Sequence, residues 1–383
     1  RHGVFVNDVS LNGDTVSIAE SFRKDGYDTA YIGKWHVDGH GRQSYVPPER
    51  RHGFSRFRAL ECTHDYNNSL YYADNEENPI QWKGYDASAQ TVEAQQFIIN
   101  HSKSKKRSSF FMMLSWGPPH NPYDTAPDKY RREFSPENIQ LRPNVPARIV
   151  DKAKKDLAGY YAHILALDNE LGNLRKTLKE TGLEQDTLLV FWSDHGDMLG
   201  SQGEFRKQRP WDESVRVPLV FSQPGKIPVK RAKAVINTPD IMPTILTLAG
   251  IKIPNSVQGN DYSQYILSKA KAPADAVLLA CYHPFGEYSR LNHGGREYRG
   301  IRTLKYTYVR DLSGPWLFYD NEKDPFQLDN LVNQVEHGGL MKNLDIELEK
   351  LLQLYGDEFL PGDVYIKRWG YQVDKNGTVP HYP

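Results

Sequence analysis

The sequence predicts an α/β fold: a large, mostly parallel sheet flanked by helices, followed by a smaller antiparallel α+β unit. Three observations carry that expectation. Short apolar runs, too brief for helices, alternate with stretches of helical period up to residue 250. Several of these runs stop directly at clusters of ionisable residues. Past residue 270 the pattern changes to short strands with turns between them, closed by one amphipathic helix. The expected division is a large unit at 1–270, a small one at 271–356 and a surface-wrapping tail at 357–383.

The first element is a helix over Thr15–Lys24, with Asp14 as its cap, Val16, Ala19 and Phe22 on one face and Gly26 at its close. Tyr27–Ile32 reads as a strand ending at Gly33-Lys34-Trp35-His36. Lys34 and His36 are two apart, so an extended backbone points both the same way. Residues 39–85, rich in Gly, Pro, Asn, Arg and Tyr, read as long loops over an active face.

A helix is expected from Asp86 to about Lys103, then a buried strand over Phe110–Trp116. The strand runs into Gly117-Pro118-Pro119-His120-Asn121-Pro122-Tyr123, where the prolines forbid its continuation and hold His120 on a stiff turn. The longest helix spans about Asp151–Thr181 and ends at Gly182. Leu188–Trp192 is the next buried strand, followed at once by Ser193, Asp194, His195, Gly196 and Asp197. A carboxylate and an imidazole side by side at a strand end can hold a cation, though a solvated loop has the same composition.

The loop Glu204–Trp211 carries Arg206, Lys207 and Arg209. Val217–Phe221 is a further strand. Thr238-Pro239-Asp240 opens a helix through Leu248. Ala276–Cys281, Tyr298–Thr303, Lys305–Val309 and Trp316–Tyr319 read as the strands of the small unit, and Leu340–Leu354 as its helix.

Composition bounds the function. The chain has 383 residues, 39% of them hydrophobic and 12% aromatic, enough for a sizeable core. Its 48 basic and 48 acidic residues balance, which gives no argument for nucleic acid as a partner. No apolar run approaches the roughly 18 residues of a spanning helix. Cys62 and Cys281 lack a C-x-x-C neighbour, which argues against a cysteine zinc cluster or redox pair.

The clusters at 33–36, 118–123 and 194–197 each follow a predicted strand. Parallel strands of one sheet would deliver all three to its carboxyl edge. Together with the basic loop, that edge would gather two lysines, three imidazoles and a carboxylate. Such a set suits a tetrahedral oxyanion. A cation about 4 Å from it contributes roughly 4 kcal/mol before desolvation, at an effective dielectric near 20.

The segments G-K-W-H at 33–36, P-P-H-N-P-Y at 118–123, S-D-H-G-D at 193–197, K-Q-R-P-W-D-E-S-V-R-V-P at 207–218, T-P-D-I-M-P-T-I-L-T-L-A-G at 238–250 and F-Y-D-N-E-K-D-P-F-Q-L-D-N-L at 318–331 occur in one order. In that order they resemble the type I sulfatases of the alkaline phosphatase superfamily, from Arg1 to about residue 355. The resemblance implies a sulfuric ester hydrolase acting on a sulfated small molecule or glycan, carbohydrate sulfates foremost. It implies that Asp194 and His195 are ligands of one divalent cation, generally calcium, although many members carry Asn at the position of His195. Lys34 and His36 match the residues flanking the nucleophile, with His36 as the base. His120 and Lys207 match the pair on the sulfate and the bridging oxygen. His40, Arg206, Arg209, His283 and His293 are candidates for contacting the rest of the substrate.

The family's nucleophile is a formylglycine made from the Cys or Ser of C/S-x-P/A-x-R by a formylglycine-generating or anaerobic maturase. Neither Cys62 nor Cys281 fits that motif. The expectation is a chain truncated just after it, with the formylglycine and two further Asp ligands upstream of His2-Gly3. An extracytoplasmic enzyme, periplasmic or secreted, is also implied. Two alternatives stay open: a metal-dependent phosphatase or phosphodiesterase of the same superfamily, and an inactive fragment that binds sulfated glycans.

Overall fold

The computed structural model describes residues 2–105, 108–268, 270–290 and 294–380. Its first helix, Ile18–Lys24, starts later than the expected Thr15 because Ser17 caps it, not Asp14. The Ser17 hydroxyl accepts the Glu20 N–H at 3.0 Å and the Glu20 carboxylate accepts the Ser17 N–H at 2.7 Å. These reciprocal bonds satisfy two of the donors that a helix start leaves open.

Five strands build the large sheet: β1 Asp28–Lys34, β2 Arg56–Leu60, β3 Leu70–Ala73, β4 Ile80–Gln81 and β5 Phe110–Ser115. Their order is β4-β3-β2-β1-β5. β1 is parallel to both β2 and β5, whereas β3 and β4 add antiparallel. Residues 39–85, expected as loops, thus contribute three strands. Their charges hid them: Arg56 and Arg58 alternate with apolar Phe57 and Ala59, and both reach the Glu93 carboxylate, at 2.5 and 3.2 Å.

β1 is apolar on both faces because both are covered. Tyr31 packs with Trp35, Phe54 and Phe57 on one side. Ile32 packs on the other with Ala94 and Ile98 of the helix Asp86–Lys103 and Leu174 and Leu178 of the helix Val150–Glu180. Gly33 is dictated by closeness. Its φ is +108°, and a Cβ there would lie 2.1 Å from the Ser115 carbonyl oxygen on β5.

β6, Leu189–Trp192, and β7, Leu219–Ser222, form an antiparallel pair of their own. This corrects the expectation that β6 is another parallel strand of the large sheet. An apolar run reports burial, not its hydrogen-bonding partner. Leu189 shares a cluster with Phe110, Met112 and Leu114, and Val190 and Phe221 share one with Phe111, so the pair still flanks β5 through side chains.

The small unit is an antiparallel meander, β8 Ala276–Cys281, β9 Tyr298–Thr303, β10 Tyr306–Asp311 and β11 Gly314–Asp320. The helix Gly338–Tyr355 lays Leu344, Leu348 and Leu352 on Ile301, Tyr308 and Phe318. The tail expected to wrap the surface contains one more helix, Gly362–Trp369, too short to show a period in sequence. The tail is anchored to β9 by Arg299, which is fully buried. The Arg299 guanidinium forks onto the Asp357 carboxylate at 2.5 and 3.1 Å and lies 3.9 Å from the centre of the Tyr282 ring. Removing one partner of a buried pair strands the other charge. Asp357→Ala is therefore expected to cost about 3–5 kcal/mol in urea unfolding; a loss below about 1 kcal/mol would show that the tail is held by something else.

No helix among the described residues is long and apolar enough to cross a membrane.

Candidate active site

At the end of β1, Trp35 turns into the aromatic cluster, 4.8 Å from the Tyr31 ring centre and 5.3 Å from that of Phe57. The Tyr31 hydroxyl donates to the Lys34 carbonyl. The backbone does not stay extended, as the Lys-x-His spacing suggested. His36 adopts a left-handed φ of 56°, which turns its ring onto Asp8. His36 Nε2 lies 2.7 Å from Asp8 Oδ1, and Arg42 Nη2 donates to Asp8 Oδ2 at 2.9 Å. Asp8 is only 4% exposed. Burial pushes its carboxyl up, but the hydrogen bonds from His36 and Arg42 win and hold it well below the usual carboxylate range. An ionised Asp8 fixes the proton on His36 Nε2 and leaves Nδ1 as the free lone pair.

The turn after His36 is tied down by Glu61, just past β2. Its carboxylate accepts the N–H groups of Val37 at 3.2 Å, Asp38 at 3.1 Å and Gly39 at 3.1 Å. Burial raises the Glu61 carboxyl to about 7, against the pull of those donors.

The loop after β5 brings His120 to Lys207. His120 Nδ1–H donates to the Asn121 carbonyl at 3.1 Å, so its Nε2 accepts from Lys207 Nζ at 2.8 Å. Burial, then the Lys207 charge, lowers the imidazole to about 2, which keeps it neutral. Lys207 is itself lowered, by burial and then by the charge of Lys34. Neither Lys34 nor Lys207 has a carboxylate ion-pair partner among the described residues, and both are half-buried. The loop is rigid around Lys207: Arg206 and Gln208 have φ of 66° and 71°, and the Gln208 amide bonds Phe285 N and O at 3.3 and 3.1 Å.

After β6, Asp197 knits three loops together. Its carboxylate accepts the Tyr123 hydroxyl at 2.5 Å and the N–H groups of Leu199 and Arg206 at 3.1 and 2.9 Å. Gly196 sits so close to the helix Asp212–Val215 that a Cβ would lie 2.0 Å from the Glu213 carbonyl oxygen. Asp194 projects outward, its side chain 82% exposed. His195 Nδ1–H donates to the Gly196 carbonyl at 2.7 Å, so Nε2 is a lone pair, and it lies 3.4 Å from Asp194 Oδ2. Two lone-pair donors that close repel unless a cation joins them, and a carboxylate with an imidazole suits a divalent ion. No group of three or more His, Cys, Asp or Glu able to hold a metal occurs among the described residues.

The six main candidates are therefore neighbours in space. The His120 and His195 ring centres are 6.0 Å apart, and the Lys34 charge acts on His36, His120, His195 and Lys207. The outer candidates fare differently. His40 is bound within its own loop, Nδ1 2.6 Å from the Asp38 carbonyl. Arg206 donates to the Tyr123 hydroxyl and lies 3.1 Å from Glu287. Arg209 is buried against Tyr288 and paired with Glu204 at 2.8 Å. His283 is 7% exposed, wedged where Cβ atoms on Gly362 and Gly377 would touch it. His293 lies outside the described residues. Sequence reasoning missed Asp8, Glu61 and His64, whose ring stacks on His120 with centres 4.9 Å apart and planes 3° apart.

Comparison with known proteins follows this geometry. The family described as Sulfatase matches residues 1–251, and that described as N-sulphoglucosamine sulphohydrolase, C-terminal, matches 200–354. An Ulvan-active sulfatase of Formosa agariphila is 41% identical over 99% of this chain and 74% of its own length. An endo-4-O-sulfatase of Bacteroides thetaiotaomicron is 29% identical over 88% of this chain and 75% of its own. A solved structure from work on glycosaminoglycan metabolism by that organism superposes with a TM-score of 0.83 at 25% identity, over 96% of this chain and 83% of that one. The Sulfatase match spans a range that includes Lys34, His120, Asp194 and Lys207, and the chain belongs to the sulfatase family, as a hydrolase of that family.

Proposed function

We propose that this chain hydrolyses the sulfate ester of a sulfated carbohydrate. The observation that carries the reading is a pair of lysines, Lys34 and Lys207, held half-buried without carboxylate partners beside neutral imidazoles. Such cations invite a small oxyanion, and a sulfate ester spreads its negative charge over three terminal oxygens that can accept from both lysines. The names of the relatives support a glycan, ulvan among them.

In this reading Lys34 and Lys207 hold the sulfate oxygens. Lys207 carries the proton of the Lys207–His120 pair, because His120 Nε2 is the acceptor, so Lys207 protonates the departing sugar oxygen. Its lowered pKa makes the ammonium a better acid. His36, with Nδ1 free and Nε2–H on Asp8, takes up a proton from the nucleophile's hydroxyl. Formylglycine would supply that nucleophile; Cys62 and Cys281 are both buried and do not. Asp194 and His195 would hold a divalent ion, calcium by family resemblance, which would add positive charge beside the sulfate.

The test compares 4-nitrophenyl sulfate with 4-nitrophenyl phosphate in enzyme carrying formylglycine, together with sulfate release from ulvan and glycosaminoglycans. Preference for the sulfate ester and release of free sulfate are expected. Faster turnover of the phosphate with no sulfate released would sink the reading and favour a phosphatase.

A further inference from the structure

His64 belongs to a turn that is built, not merely exposed. The Thr63 hydroxyl accepts the Asp65 N–H at 3.1 Å, and the Asp65 carboxylate accepts the N–H groups of Asn67 and Asn68 at 3.3 and 3.1 Å. The turn is clamped to the His120 loop at two points. Buried Tyr66 donates its hydroxyl to the Asn121 carbonyl at 3.1 Å, and the Asn67 amide donates to the Thr125 carbonyl at 3.0 Å. A Cβ on Gly117 would lie 2.8 Å from the Tyr66 ring, so the two segments are in close register. These clamps hold the His64 imidazole flat on that of His120.

The ring is placed but unused. Neither nitrogen has a hydrogen-bond partner among the described residues, and the residue is exposed. One face of the ring is covered by His120, and that partial desolvation, then the charges of Lys34, Arg42, Lys207 and His36, lower it to about 4, so it is neutral at neutral pH. A neutral imidazole offers one N–H and one lone pair. That makes it a weak ligand for an anion, for which the lysines are better suited, and a good partner for a hydroxyl group, which needs one acceptor and can use one donor. Stacked on the residue that accepts from Lys207, it lies beside the pair that, in the reading above, protonates the departing alcohol.

Resting on the sulfated-carbohydrate reading above, we propose that His64 is a substrate-contacting residue that hydrogen-bonds a sugar hydroxyl near the scissile sulfate and so selects hydroxylated leaving groups. A single neutral hydrogen bond of this kind is worth about tenfold in kcat/KM.

The test is a ratio: kcat/KM for a sulfated oligosaccharide over kcat/KM for a simple alkyl sulfate such as cyclohexyl sulfate, whose leaving alcohol is also strongly basic but carries no further hydroxyl. His64→Phe retains a flat ring against His120 but has no polar atom. The ratio is expected to fall about tenfold in this variant and to recover in part in His64→Gln, which restores a donor and an acceptor. An unchanged ratio in His64→Phe, whatever happens to the separate rates, would overturn the proposal, since a residue acting only as a shelf for His120 alters both substrates in proportion. Failure of the functional reading shows differently: the unsubstituted enzyme would turn over neither ester, and the proposal falls with it.

Discussion

Replacing Lys207 with alanine is expected to lower kcat/KM on a sugar sulfate by about 10²- to 10⁴-fold, the usual worth of a positioned proton donor. The loss depends on the leaving group. A sugar alkoxide is strongly basic and needs a proton as the S–O bond breaks, whereas 4-nitrophenolate leaves without help. Across a series of aryl and alkyl sulfates, the variant should therefore depend more steeply on leaving-group pKa than the unsubstituted enzyme. An equal loss on every ester would show that Lys207 only binds sulfate and that the proton comes from elsewhere. An independent sign is available at equilibrium. Burial and then Lys207 push His120 down to about 2, and Lys207 is also among the charges that lower His64. Without that ammonium both imidazoles should titrate closer to 6.5, a shift that proton NMR can follow.

What the sequence disclosed and what it hid have a common physical origin. Lys34, His120, Asp194 and Lys207 draw notice in the sequence because each follows an apolar run or lies in a composition that no core segment tolerates. Asp8 and His64 carried no such mark. Asp8 lies in an N-terminal segment whose apolar residues follow no clear period, and only the turn at the left-handed His36 brings the two together across 28 positions. His64 gains its place from Tyr66, whose hydroxyl reaches a carbonyl 55 residues away. Similarly, β6 announced its burial but not its antiparallel partner β7, because apolar pattern fixes which side chains leave water and not which backbone they pair with.

Asp8→Asn is expected to lower kcat by about 10²- to 10⁴-fold while leaving KM nearly unchanged, by misplacing one proton. The ionised carboxylate requires His36 to carry its proton on Nε2. An asparagine amide can present its N–H₂ to the same nitrogen, which favours the tautomer with the proton on Nδ1 and abolishes the free lone pair. The pH profile should move as well. His36 is lowered by burial first, with Asp8 opposing that shift, so loss of the carboxylate lowers it further and displaces the acidic limb of the rate profile to lower pH. Stability provides the control. Because the folded pKa of Asp8 lies below its unfolded value of about 3.9, its stabilising charge is fully present above that pH and is lost only as pH falls further. Between about pH 7.5 and 8.5, above the titration of both Asp8 and His36 in either state, the slope of stability against pH should therefore match in variant and parent, while turnover differs by orders of magnitude. An Asp8→Asn protein with parental kcat, or one whose acidic limb moves upward, would show that His36 does not depend on Asp8 for its proton, and the base would have to be sought in another side chain.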